Sequence, residues 1–332
     1  MDVPVVLALD GNSLVHRSFH AMSQTGHPRW AVRGLLTQLV AAVDRIRPSA
    51  IVIGFDDAER SVRRERWPGY KAHRTQKQPE LVEQLESAIN VMIELGVAVV
   101  VPDGLEADDV LASTARFARD SGARTVLVTS DRDAFALMDD HTRVLRIING
   151  GVDASPVMTS ERLVTLLGVT APQYRDFAAL RGDPSDNLPG VRGIGPTTAA
   201  RLLAEYGTAR AAFDDLDGVT ARVGKSIATR LSHPDARAAW ELNCQVMALD
   251  DGVPLGLSLT GGTGVLPLRP DAVESVFRAQ NLVWSVGQAV EVLSHVQLPD
   301  EPPRFASAPA YVPVEVPAPV PAEPTHEQLS LF

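Results

Sequence analysis

An α/β fold built on a mostly parallel sheet is predicted by three features of the sequence. Short, almost wholly apolar runs recur at 3–9, 51–55, 97–101 and 125–128, with 144–148 a fifth candidate. Runs of that kind suit strands buried on both faces, as in a parallel sheet. Helical periodicity separates them at 31–46, 79–95 and 107–119, the alternation expected of an α/β chain. Asp10, Asp56 and Asp131 fall at or just past the ends of three runs, where sheets of this class gather their ligands.

The bulk composition bounds the rest. A chain of 332 residues has room for about two domains, and its 45% apolar content excludes global disorder. The single cysteine, Cys244, rules out a disulfide framework and a cysteine zinc site, which suits a reducing cytoplasm. No basic leader opens the chain, and no apolar run approaches membrane-spanning length. A net charge of -10 looks wrong for a nucleic-acid binder, but carboxylates that ligate metal enter that sum. Local charge says more, because residues 60–78 carry seven basic side chains against the single acid Glu65.

Residues 103–133 organise the chain. Glu106, Asp108, Asp109, Asp131 and Asp133 stand at two loop-to-helix junctions, separated by a helix-like segment and the strand-like run 125–128. Ionised carboxylates at one sheet edge repel one another. Hard divalent cations with oxygen ligands relieve that crowding, so a multi-carboxylate metal site is expected. One Asp after a strand is ordinarily a turn former or helix cap. Independent turns, however, have no reason to deliver their acids to one edge.

The basic window holds Arg63, Lys71 and Arg74 beside Trp67 and Tyr70. It reads as an exposed segment whose cations meet phosphates while an aromatic stacks on a base. Further on, Asp183 and Asp186 stand three apart in a turn, followed by Gly193-Ile194-Gly195 and a helix over 197–206. Glycines before a helix N-terminus let backbone N–H groups approach a DNA phosphate. Residues 208–298 are largely helical in pattern, without evident chemistry. From 299 to 327 prolines interleave with Ala, Val and Glu, an extended linker that cannot build a core. The chain ends in Gln328-Leu329-Ser330-Leu331-Phe332, which reads as a recognition peptide that orders on binding.

Taken in order, Leu9-Asp10-Gly11, Phe55-Asp56, Gly69-Tyr70-Lys71 with Arg74, Glu106-Ala107-Asp108-Asp109, Ser130-Asp131-Arg132-Asp133 and Gly182-Asp183 through Gly195 resemble the bacterial 5′–3′ exonuclease, or flap endonuclease, family. The same module opens many bacterial DNA polymerases I. No polymerase-like stretch follows, so a free-standing member is expected. The resemblance implies a PIN-like core over 1–175, with a helical arch near 60–90. It also implies a helical duplex-binding region over 176–298 containing a helix-hairpin-helix-like motif.

Its implied metal ligands are Asp10, Asp56, Glu106, Asp108, Asp109, Asp131, Asp133, Asp183 and Asp186, serving two or more Mg²⁺ or Mn²⁺ ions. Asp10, Asp56, Asp109 and Asp131 are the implied catalytic acids, with Lys71 and Arg74 at the scissile phosphate. Arg17, Arg63, Tyr70, Gly193, Gly195, Thr197 and Thr198 are implied DNA contacts, and the hairpin is a candidate K⁺ site. His16 and Val62 replace commoner aromatics. Gln328, Leu329, Leu331 and Phe332 resemble the pentapeptide that binds the bacterial sliding clamp. A cytoplasmic monomer working beside a DNA polymerase on 5′ ends and flaps, in Okazaki-fragment primer removal and repair, is therefore expected. A PIN-type ribonuclease accounts for the acids but not for the basic segment or the Gly-Ile-Gly hairpin. A non-catalytic structure binder predicts missing ligands.

Overall fold

The computed structural model describes residues 3–22 and 26–294, so the 299–327 linker and the 328–332 peptide lie outside the described residues. Five apolar runs form parallel strands: β1 (Val5–Asp10), β2 (Ala50–Gly54), β3 (Ala98–Val100), β4 (Arg124–Thr129) and β5 (Thr142–Arg146). The two-residue β6 (Val157–Met158) pairs antiparallel with β5, giving the order β3-β2-β1-β4-β5-β6. The chain thus steps from β1 outward to β3, then crosses back to build β4 on the other side. That reversal opens a crevice beyond the carboxyl ends of β1 and β4.

Helices cover both faces of the sheet. In chain order they begin with α1 (Gly11–Met22), α2 (Trp30–Ile46), α3 (Val62–Arg66), α4 (Pro79–Leu95) and α5 (Ala107–Asp120). Next come α6 (Gly151–Ala154), α7 (Ser160–Leu167), α8 (Ala171–Arg181) and α9 (Pro196–Tyr206). The last are α10 (Ala209–Asp214), α11 (Leu216–Arg222), α12 (Lys225–Leu231), α13 (Pro234–Val246), α14 (Pro270–Ala279) and α15 (Val286–Ser294). Alternate strand residues serve opposite faces. Leu7, Leu9, Ile51, Ile53 and Val128 join a core with α2, α4, α14 and α15. Val6 and Val52 meet Val110 of α5, while Ala8, Leu127 and Val144 join the core of α8 to α13.

Four features differ from the sequence reading. The polar sequence after Asp10 hides α1, which starts at Gly11 without an apolar run to announce it. The 60–90 stretch, expected as an arch, divides in two. Val62–Arg66 is a single turn of helix, whereas Leu81, Leu85, Ala88 and Met92 of α4 are buried in the core. The boundary expected at 175 falls inside α8, because Tyr174 and Phe177 pack as part of that helix. Finally, α14 and α15 belong to the sheet core rather than to the helical region, since Val273, Phe277 and Leu293 join the same apolar cluster as the strands, with α14 packed on α4 and α15 on α2.

This packing predicts that Phe277→Ala lowers stability by about 3–5 kcal/mol, read from chemical denaturation. It also predicts that ending the chain at Gly264 exposes the sheet core and abolishes cooperative unfolding. An unchanged transition in that shortened chain would contradict the packing.

Candidate functional site

The site is built at the β1–β4 crevice. Asp10 closes β1 and lies opposite Gly54 of β2, while its neighbour Leu9 pairs with Val128 of β4. Its Oδ1 accepts from the Ser13 amide at 2.8 Å, the first turn of α1, and its Oδ2 accepts from Thr129 Oγ1 at 2.7 Å. Asp56, two residues past β2, accepts from Asn12 Nδ2 at 2.5 Å and from the Ala107 amide at 3.0 Å. Ser13 and Ser130 are hydrogen-bonded at 2.5 Å, tying the first turn of α1 to the loop after β4. Asn12 and Thr129 carry much of this geometry, and the sequence reading missed them. Their signal was position alone: each flanks a strand end that carries an acid.

Asp183 and Asp186 arrive from the helical side. The two-stranded hairpin of β7 (Gly182–Asp183) and β8 (Leu188–Pro189) follows α8 directly. Gly182 has φ +81°, and a Cβ on Gly190 would stand 2.2 Å from the Arg181 carbonyl, so this hairpin closes only with glycine at both places. It holds its acids over a cavity of about 630 Å³ lined by Asp10, Asp56, Asp108, Asp131 and Asp183, with Lys71, Arg74 and Arg181.

Burial and mutual repulsion raise these carboxyls. Asp10 is pushed up to about 7 by burial, against hydrogen bonds from Ser13 and Thr129, with Asp56 and Asp131 adding repulsion. Asp133 also rises to about 7, through burial and the charges of Asp131, Asp183 and Asp186. Asp56, Asp108 and Asp186 are raised too, each chiefly by burial. The acids thus form two groups, Asp10–Asp56–Asp108 and Asp133–Asp183–Asp186, and Asp131 acts on both. The Asp108 Oδ1 is buried without a hydrogen-bond partner. A bare carboxylate oxygen there fits a cation. Among the described residues no group of three or more acids is already placed to hold an ion.

Four of the expected site residues stand elsewhere. Asp109 is 0% exposed and faces away from the cavity, with its oxygens held by Arg63 Nη1 and Nη2 at 2.7 Å each. Adjacent helix positions point about 100° apart, so Asp108 and Asp109 cannot share a face. Arg63, expected on DNA, is accordingly buried. Tyr70, expected to stack on a nucleotide, is 5% exposed, and its hydroxyl donates to Glu106 Oε2 at 2.9 Å. Lys71 Nζ is 3.2 Å from both Glu106 oxygens, so Glu106 faces cations rather than lining the cavity.

Of the remaining cations, Lys71 and Arg74 line the cavity. Arg74 pairs with Asp186 at 2.6 Å and donates to the Ser185 carbonyl, joining the basic segment to the acidic hairpin. Lys71 adopts a left-handed φ of 54°, and its amide donates to the Asp186 carbonyl at 2.9 Å. Arg17, on α1, donates to Asn149 Oδ1 at 3.0 Å. Thr197 is exposed and Thr198 half-buried in the first turn of α9, for which Gly195 is the N-cap. The Gly193 carbonyl accepts from Arg230 Nη1. His16, partly buried among Lys77, His20 and Arg74, is lowered to about 4 by burial and those charges, so it stays neutral.

Known proteins resemble this chain. Residues 5–168 match the 5′-3′ exonuclease N-terminal resolvase-like domain, and 169–264 match the 5′-3′ exonuclease C-terminal SAM fold. The two matches meet just before α8 and end before α14. DNA polymerase I of Mycobacterium bovis is 39% identical over 235 residues, which is 69% of this chain and 26% of that protein. The chain therefore spans about a quarter of such relatives. Among solved structures, T5 5′-exonuclease with bound zinc superposes with TM-score 0.61 at 18% identity, covering 86% of this chain and all of that one. The catalytic core of Rad2 with a DNA substrate gives 0.57 at 16% identity, covering 89% and 93%. The chain belongs to the 5′-3′ exonuclease family, carrying both its resolvase-like and its SAM-fold domain.

Proposed function

We propose that the chain is a metal-dependent, structure-specific 5′ nuclease that hydrolyses DNA phosphodiesters at 5′ ends and flaps. The observation that carries this reading is the cavity itself, where acids from the ends of β1, β2 and β4, the start of α5 and the acidic hairpin meet beside Lys71 and Arg74. Asp10, Asp56, Asp108 and Asp131 suit one divalent ion, Mg²⁺ or Mn²⁺, and Asp131, Asp133, Asp183 and Asp186 suit a second. Two such ions, when bound, supply an activated water and neutralise the leaving oxygen.

The protein's own groups do the rest. Thr129, Ser13, Asn12 and the Ala107 amide fix the orientation of Asp10 and Asp56. Lys71 and Arg74 present positive charge to the phosphoryl oxygens as negative charge grows there. Arg17 binds the strand nearby, and Gly193, Gly195, Thr197 and Thr198 receive duplex phosphates through backbone N–H groups at the start of α9. At Gly193 a monovalent ion would have to displace Arg230. Terminal residues Gln328 to Phe332 would tether the enzyme to the sliding clamp, raising its local concentration at primer junctions. No helix among the described residues is long and apolar enough to cross a membrane.

A gel assay of a 5′-labelled flap tests the reading. Cleavage with Mg²⁺, none with EDTA and weaker cutting of an RNA strand are expected. Preference for RNA would favour a PIN-type ribonuclease, and binding without cutting would favour a non-catalytic binder. Asp131→Asn is expected to lower cleavage by about two orders of magnitude or more while flap binding survives; wild-type cleavage by that variant would count against the scheme.

The raised carboxyls carry a pH signature. Asp10 and Asp133 ionise at about 7 in the folded state, against an ordinary 3.8. The folded protein therefore holds protons that the unfolded chain releases, and stability is lost as pH rises from about 4 to about 7. The Tm of the metal-free protein should fall between about pH 4 and about pH 7. Saturating Mn²⁺ should restore it far more at the higher pH, by about 2.7 kcal/mol at a hundredfold excess over Kd. A Mn²⁺ effect independent of pH would contradict this electrostatic account.

A further inference from the structure

All five guanidinium protons of Arg63 find acceptors. Nη1 and Nη2 grip Asp109 in a two-point fork, Nη1 also reaches Glu106 Oε2 at 3.4 Å, Nη2 reaches the Ala248 carbonyl at 2.8 Å, and Nε reaches the Val246 carbonyl at 3.2 Å. Asp109 is equally saturated. Besides the fork, its Oδ1 accepts from the Asp250 amide at 2.8 Å and its Oδ2 from the Glu106 amide at 2.9 Å. Four donors on two oxygens leave no lone pair for an ion. Asp108, the residue before it, has the opposite character: it lines the cavity, and its buried Oδ1 has no hydrogen-bond partner.

We propose that Arg63 and Asp109 are a positioning pair, fastening the end of α13 and the turn of α3 to the start of α5 so that Glu106, Tyr70 and Lys71 stay fixed beside the cavity. The pair joins three segments far apart in the chain: 62–66, 106–109 and 246–250. Arg63 then touches Glu106, which in turn holds the Tyr70 hydroxyl and the Lys71 amine. Tyr70 packs with Leu188 of β8 and Val246 of α13, so the same junction also seats the acidic hairpin. Removing one partner leaves the other charge buried and unpaired, which is far costlier than replacing both.

The inference rests on the nuclease reading for its cleavage readout, but Mn²⁺ titration of the DNA-free protein is independent of cleavage. Asp109→Asn should bind Mn²⁺ within about twofold of wild type, whereas Asp108→Asn should lose about tenfold or more. On a flap substrate Asp109→Asn should lose kcat by roughly 10²-fold with KM unchanged, as expected when a reacting group is misplaced by about an ångström. Arg63→Gln combined with Asp109→Asn should lose much less than the product of the two single losses. Equal loss of Mn²⁺ affinity in Asp108→Asn and Asp109→Asn would overturn the proposal, as would independent effects of Arg63→Gln and Asp109→Asn. Should Asp109→Asn not fold, Arg63→Lys keeps the charge but not the fork, and it should show the same kcat loss with normal Mn²⁺ binding. Undiminished kcat in Arg63→Lys would equally overturn the pair. A wild-type chain that cleaves no flap at all would instead sink the nuclease reading, leaving the Mn²⁺ comparison to stand.

Discussion

Burial of carboxylates crowded at the reversal between β1 and β4, with their mutual repulsion added, is the constraint on which the rest of the architecture depends. A parallel sheet that changes direction opens a crevice at its carboxyl edge, and here the strand ends deliver Asp10, Asp56 and Asp131 into it. Nothing in strand packing favours that outcome. Burial has driven Asp10 and Asp133 up to about 7, a standing cost of folding that only nearby positive charge removes. The protein supplies part of that charge itself, through Lys71, Arg74 and Arg181 at the cavity wall. The bare Asp108 oxygen marks where its own cations do not reach.

Two kinds of acid stand side by side at the start of α5. Asp108 serves the cavity, while Asp109 is spent on Arg63 and on backbone amides. In sequence they are an indistinguishable pair. Helix geometry separates them, since consecutive residues cannot face the same way. The same logic explains Arg63, which sits in a basic window yet points inward because α3 turns it toward a buried carboxylate. Charge along a chain locates a patch only when the local structure leaves every side chain outside.

Much of the fold was legible because its signals are local. Runs such as 51–55 and 125–128 are buried on both faces, and α2, α4 and α5 follow apolar periodicity within a residue or so. Asp10, Asp56 and Asp131 were legible because each follows such a run. What escaped depended on contacts distant in sequence. Helix α1 draws its first-turn cap from Asp10 rather than from its own composition. Likewise α14 and α15 carry ordinary amphipathic patterns, and only their packing on α4 and α2, with Phe277 and Leu293 in the shared cluster, assigns them to the sheet core. Tyr70 looked free to stack because its partner, Glu106, lies 36 positions along the chain.

The central claim is that folding gathers these acids around divalent ions, and locating the ions tests it most directly. Crystals of the protein soaked in Mn²⁺ and recorded at a wavelength where manganese scatters anomalously would show where they bind. The account predicts peaks within the cavity, one among Asp10, Asp56, Asp108 and Asp131 and one toward Asp133, Asp183 and Asp186, with none at Asp109. Manganese at Asp109, or a cavity without manganese while ions bind elsewhere on the surface, would contradict it.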